Sequence, residues 1–198
     1  MKIAGIILAG GKSSRYGKPK MFEMYKSKYF YQHSVDALKD NSIFPVIIST
    51  NLDLLYTFPQ IDHTDFFIEQ ETYQGPLSAI HNVALTIPDV DWFFVLSCDI
   101  PFVSSAFVHE LLGKIDKYDN HYDAIVPYQS NKAQPLMALY HRRILKKFEY
   151  LLLSGEKKMH VLLNNINVKR IDFSEKEKAF TNINYHQEFL NILNNQKK

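Results

Sequence analysis

An α/β domain, built on a mostly parallel central sheet in a three-layer arrangement, is predicted from three features of this 198-residue sequence. Short β-rich runs alternate with longer segments of helical spacing. Two of the runs, at residues 3–9 and 92–98, are apolar at nearly every position, as strands covered by helices on both faces must be. The composition, 46% hydrophobic and 22% charged, is enough for one sizeable core and short for two.

Taken in order, the strand candidates are residues 3–9, 44–50, 66–69, 92–98, 123–127 and 136–140. The first and fourth are expected to be central and neighbouring. Between them, residues 29–39, 77–87 and 104–117 carry apolar side chains at helical spacing, with Ser104 placed to cap the third helix after Pro101. The apolar stripes read as core. Beyond residue 140 the pattern is a basic helix at 141–153, where Arg142 and Arg143 read as a solvated face. A break at Ser154-Gly155-Glu156 precedes a second helix ending near Asn165. Strands at 168–173 and 179–183 and a helix from about 186 to 193 complete the chain, extending the sheet at its edge with antiparallel members. The last three residues read as a frayed end.

Twenty-three Lys plus Arg against 21 Asp plus Glu leave a net charge of +2, too balanced for binding nucleic acid by overall charge. An anionic ligand must be held locally. Cys98, the single cysteine, excludes an intramolecular disulfide, and no Cys/His cluster has zinc spacing; His109-Glu110 resembles a zinc-protease start, but Gly113 stands where the second His belongs. The apolar run at 3–9 is far too short for a membrane span, so a cytoplasmic protein with no membrane partner is expected.

The most informative stretch runs from Leu8 to Lys20, directly after the first strand. Gly10 and Gly11 lack the Cβ atoms that block close approach and permit positive φ, so their N–H groups can converge on a phosphate. Lys12, Arg15, Lys18 and Lys20 add local positive charge. The spacing fits neither a Walker A loop nor the Gly-x-Gly-x-x-Gly dinucleotide fingerprint. Asp99 stands where the fourth strand leaves the sheet, the edge at which open α/β sheets bind ligands. A carboxylate facing phosphates requires a hard cation between them, so Asp99 reads as a Mg²⁺ ligand. Cys98, on the alternate face, reads as a buried small residue. Glu69 ends the third strand and offers a second carboxylate at the rim. The histidines form no spaced cluster and read as surface or packing residues, His33 and His81 included.

Leu8-Ala9-Gly10-Gly11 followed by Ser13, Arg15, Gly17 and Lys20 resembles the signature of the small nucleotidyltransferases. Gly75-Pro76-Leu77, Cys98-Asp99-Ile100-Pro101, Pro135-Leu136-Met137-Ala138-Leu139 and Asn182-Ile183-Asn184 follow in the order of one branch, the molybdenum cofactor guanylyltransferases (MobA family). The match covers nearly the whole chain. The resemblance implies a single Rossmann-like domain of nucleotidyltransferase type, with a nucleotide-binding part at about 1–103 and an acceptor-binding part at about 104–195. It implies transfer of GMP from GTP to molybdopterin carrying molybdenum, with Mg²⁺ as cofactor. Cofactor-biosynthesis proteins and apo-molybdoenzymes are its implied partners. Leu8, Ala9, Gly10 and Gly11 would line the GTP site, Lys20 would contact the phosphates, and Asp99 would hold both Mg²⁺ and nucleotide. Read from the residues themselves, Arg15 can clamp an oxygen, and Asn182 and Asn184 read either as hydrogen-bond donors to the pterin or its phosphate or as ordinary turn residues. The sequence departs from the family at Glu69, where Asp is usual for the nucleoside contact, at Ser78-Ala79 and at Tyr185-His186. Three alternatives stay open: CTP as donor to molybdopterin, an NTP transferred to a sugar 1-phosphate, and a nucleotide-gated carrier without transfer.

Overall fold

The computed structural model describes residues 1–115 and 121–196. β1 (Ile3–Leu8) leads through a long loop and a 3₁₀ turn (Lys20–Phe22) to the hairpin β2 (Met24–Tyr25) and β3 (Lys28–Tyr29), then α1 (Phe30–Lys39). There follow β4 (Val46–Thr50), the short α2 (Leu52–Leu55), β5 (Thr64–Ile68), α3 (Pro76–Leu85), β6 (Trp92–Ser97) and α4 (Ser105–Leu112). The remainder is β7 (Ala124–Gln129), β8 (Lys132–Ala133), β9 (Met137–His141), α5 (Leu145–Leu153), α6 (Met159–Leu163), β10 (Val168–Asp172) and α7 (His186–Gln196).

The main sheet has the order β10-β7-β9-β6-β1-β4-β5, with β8 hydrogen-bonded to β7. β1 pairs in parallel with β6 on one side and β4 on the other, so the two most apolar runs are central neighbours, as expected from their lack of alternation. β9 is antiparallel to both β6 and β7, while β10 runs parallel to β7. The antiparallel β9 therefore lies inside the sheet, with the short β8 also antiparallel to β7, while the C-terminal edge strand β10 is parallel to its neighbour, not antiparallel as the sequence suggested.

Two apolar layers flank the sheet. On one face Val35 and Leu38 of α1 and Phe107, Val108 and Leu111 of α4 pack on Ile7, Ile48, Phe94 and Leu96. On the other, Ile80 and Val83 of α3 and Phe148 and Leu151 of α5 pack on Ile6, Phe93 and Val95. A side chain in place of Gly5 would put a Cβ 2.7 Å from Leu38 Cδ1, so this glycine sets how closely α1 lies on β1. Ser104 caps α4, accepting from the Phe107 N–H at 3.2 Å.

Further details differ from the sequence reading. The basic helix expected at 141–153 begins only at Leu145, because His141 ends β9 and Arg142–Ile144 form a 3₁₀ turn. α4 ends at Leu112 before Gly113; residues 116 and 117 of the longer expectation, like residues 197 and 198 of the tail, lie outside the described residues. Residues 179–183 do not form a strand. Lys178–Phe180 is a 3₁₀ turn capped by Glu177, and Ala179, Phe180 and Ile183 are buried without joining a ladder, which is why they carry an apolar pattern. Arg142 is not merely solvated: it donates to the Ala84 and Ile87 carbonyls at the end of α3, compensating acceptors that the helix leaves open.

Candidate active site

β6, β1, β4 and β5 all deliver their C-terminal ends to one edge of the sheet, and a cavity of about 380 Å³ opens there. Leu8, Gly10 and Gly11 follow β1; Ser97, Cys98 and Asp99 end β6; Glu69 and Tyr73 follow β5; Gly75, Pro76 and Ala79 open α3. Lys20 closes one side. The far wall, Gln134, Pro135, Leu136, Met137 and Asn182, comes from the second half of the chain.

The start of the glycine loop is fixed by the end of β4. Ala9 N donates to Ser49 O at 2.8 Å, Thr50 Oγ1 to Ala9 O at 3.4 Å and Asn51 Nδ2 to Gly10 O at 3.3 Å. Positive φ does not fall at Gly10 or Gly11. It falls later, at Ser13 (+49°) and Gly17 (+83°), where the loop closes on the Ser13 carbonyl through Tyr16 N and Gly17 N. Gly10 is needed for proximity: a Cβ there would lie 2.6 Å from Glu69 Oε1.

The four cations of the loop do not converge. Lys20 Nζ lies 2.6 Å from Asp99 Oδ2, both side chains 17% exposed, and 3.5 Å from the Ile183 carbonyl. Lys12 Nζ sits 4.3 Å above the Tyr73 ring. Lys18 Nζ turns to Glu23 at 2.7 Å, and Arg15 is exposed outside the cavity lining. The loop's outer side is anchored instead by buried Tyr16, whose hydroxyl lies 3.1 Å from His186 Nδ1 at the start of α7. Burial opposes the Glu23 charge, but hydrogen bonds from Lys18 and Tyr16 outweigh it and hold this carboxyl below its ordinary range. His186 therefore has a structural place that the sequence did not reveal, while His33 is held by the Tyr25 carbonyl at 2.9 Å and His81 stacks against Phe148.

The two carboxylates of the cavity have different surroundings. Asp99 accepts from Lys20 and, through Oδ1, from the Ser97 hydroxyl, while its carbonyl accepts from Ile183 N at 3.0 Å. Glu69 is half-buried and accepts from Ser49 Oγ at 2.9 Å; burial raises its carboxyl above the usual range, more than that hydrogen bond lowers it. No group of three or more His, Cys, Asp or Glu among the described residues could hold a metal ion. One carboxylate is nevertheless a donor that Mg²⁺ uses when substrate phosphates complete its shell, so Asp99 fits such an ion. Cys98 is buried, its thiol pushed up to about 12 chiefly by that burial, and packs into the core as an inert small residue.

Of the residues singled out from sequence, Leu8, Gly10, Gly11, Lys20, Glu69, Asp99 and Asn182 line one cavity. Ala9 is wholly buried behind it. Asn184 lies outside the lining, its backbone N–H donated to Glu188 at 3.2 Å at the start of α7. Tyr73, Ser97 and Gln134 line the cavity without having been singled out. The Gly75-Pro76 pair was the available signal for Tyr73, since a helix opening at that edge carries the preceding loop with it.

A family model for the MobA-like NTP transferase domain matches residues 5–170, so the protein is a nucleotidyltransferase. A probable molybdenum cofactor guanylyltransferase from Geobacillus sp. (strain WCH70) is 35% identical over 198 residues, covering 97% of this chain and 98% of that one. The chain belongs to that family, the molybdenum cofactor guanylyltransferases. The molybdopterin-guanine dinucleotide biosynthesis protein A of Archaeoglobus fulgidus shares the fold, with a TM-score of 0.72 at 21% identity over 96% of each chain. So does a Mycobacterium tuberculosis H37Rv protein solved in complex with manganese, with a TM-score of 0.65 at 14% identity over 88% of this chain and 89% of that one.

Proposed function

We propose that this protein transfers GMP from GTP to the terminal phosphate of molybdopterin carrying molybdenum, releasing pyrophosphate. The observation that carries the reading is the Lys20–Asp99 pair, 2.6 Å apart at one end of a cavity walled by both halves of the chain. In this reading the nucleotide part, about 1–103, and the acceptor part, about 104–195, meet there. The names of the relatives supply the two substrates, and the manganese complex of the mycobacterial protein supports a divalent cation, with Mg²⁺ proposed here.

An acceptor phosphate oxygen attacks the α-phosphorus of GTP, forming one P–O bond as the bond to the bridging β-phosphate oxygen breaks and its electron pair leaves with pyrophosphate. The acceptor is already ionised near neutral pH, so no general base is required. Positioning and charge neutralisation are the enzyme's work. Lys20 exchanges its contact with Asp99 for the phosphate oxygens. Gly10 and Gly11 let the chain approach those oxygens, with Leu8 and Ala9 fixing the strand end behind them and Arg15 reaching in from the outer loop. Asp99, oriented by the Ser97 hydroxyl, would hold the divalent cation. When bound, that ion supplies positive charge against the phosphates. Glu69 accepts a hydrogen bond from the nucleoside, and Asn182, with Asn184 beside it in sequence, contacts the acceptor.

The test is pyrophosphate release and product mass with purified protein, Mg²⁺, molybdenum-loaded molybdopterin and each NTP in turn. GTP-dependent release with GMP joined to the pterin is expected. Release with CTP alone, or GTP binding with no release, overturns the reading in favour of a cytidylyl enzyme or a carrier.

A further inference from the structure

We propose that Tyr73 is the surface on which the nucleotide base stacks, and that Lys12 covers this surface until the base arrives. The inference rests on the nucleotide-binding reading above and adds to it a residue that neither the glycine loop nor the strand-end carboxylates indicate.

Tyr73 lines the same cavity as Lys20 and Asp99 and is 45% exposed, so its ring is available to a ligand. Its backbone lies in the left-handed region, at φ +64°, where a bulky aromatic side chain is seldom found. The loop that carries it is tied on both sides. Glu69 N bonds Thr50 O at 2.8 Å on one side of the loop, and Gln74 Oε1 accepts from Lys157 Nζ at 2.6 Å on the other, just before Gly75 at φ +90° caps α3. Such a conformation at a cavity wall points to a role for the side chain it presents.

Position along the sheet assigns that role. Asp99 follows β6 and the Tyr73 loop follows β5, with β1 and β4 between them. A nucleotide with its phosphates at Lys20 and Asp99 therefore extends past the glycine loop toward Tyr73 with its nucleoside end. A π face accepts any base, and a cation is the natural occupant of such a face when no base is present. Lys12 Nζ, 4.3 Å from the ring centroid, is that occupant. Its ammonium belongs to the phosphate loop, so displacement by the base frees a cation beside the polyphosphate.

Calorimetric titration with GTP and with inorganic triphosphate, which has no base, tests the assignment on wild type, Tyr73→Ala, Tyr73→Phe and Lys12→Ala. Base stacking on an aromatic spans roughly 5- to 150-fold in affinity. Tyr73→Ala is expected to weaken GTP within that range without weakening triphosphate, since Lys12 is then free of the ring. Tyr73→Phe is expected to bind both like wild type, and Lys12→Ala to weaken both. Undiminished GTP binding by Tyr73→Ala, or equal losses for GTP and triphosphate, overturns the stacking role alone. Failure of the wild-type protein to bind GTP overturns the nucleotide reading with it.

Discussion

At the β6 end of the cavity Asp99 is paired with an ammonium and a hydroxyl, whereas at the β5 end Glu69 is half-buried with a serine hydroxyl as its hydrogen-bond partner. The first environment sets an opposite charge and a hydroxyl donor directly against the carboxylate oxygens. The second makes charge costly and leaves an oxygen suited to a neutral N–H or O–H donor. In the proposed reading, the same functional group serves charge neutralisation at one end and recognition at the other.

The strongest way to break this contrast is Asp99→Asn. Turnover is expected to fall by about a hundredfold or more, the usual loss when a charge-stabilising group is removed, with an unchanged melting curve showing that the fold survives. Near-normal pyrophosphate release would remove Asp99 from the reaction. Lys20→Ala is expected to cost on the order of a hundredfold as well. Because the two side chains touch, the double variant should lose far less than the product of the single losses, which steady-state rates on all four proteins would reveal.

Glu69→Gln is expected to act on KM for the nucleotide, by roughly tenfold if one hydrogen bond of about 1.5 kcal/mol is lost, and only weakly on kcat. Its stability carries a distinct pH signature. Burial raises the Glu69 carboxyl in the folded protein, so the native state holds that proton more tightly than the unfolded chain. Stability from this group therefore falls as pH rises from the ordinary 4.5 through the raised value. Glu69→Gln should abolish that decline and melt higher than wild type above the window; parallel melting profiles from about pH 4 to pH 8 would argue against a desolvated carboxylate. Gly10→Ala sharpens the same end. Its Cβ would displace the Glu69 carboxylate, so it should raise KM severalfold in the wild-type background and far less beside Glu69→Ala. The smallest effect on activity belongs to Ser104→Ala, away from the cavity. It should cost about 1 kcal/mol of stability, seen in urea unfolding, with turnover unchanged.

The β6 end was the more legible of the two. The apolar runs that announce β1 and β6 are continuous because both faces are covered, and a glycine pair and an aspartate directly after such strands report their own position. Tyr73 and Gln134 have no such context, because they reach the cavity only through the opening of α3 and the reversal at β9. Likewise the cations of the loop looked like a cluster in one dimension, but Lys18 is drawn to Glu23, a partner on the loop's far side. The segment at 179–183 misled in the opposite direction: its apolar residues are buried side chains on an irregular backbone.

β9 enters the sheet where the neighbouring β6 and β7 leave it, so residues 134–136 arrive at the cavity as the threshold of a strand. That threshold follows the β7–β8 turn and so comes from a stretch of chain separate from the ends of β1, β4, β5 and β6. In the proposed reading the cavity closes like the two jaws of one tool: one wall takes the donor, and the other, brought in by a different stretch of chain, takes the recipient.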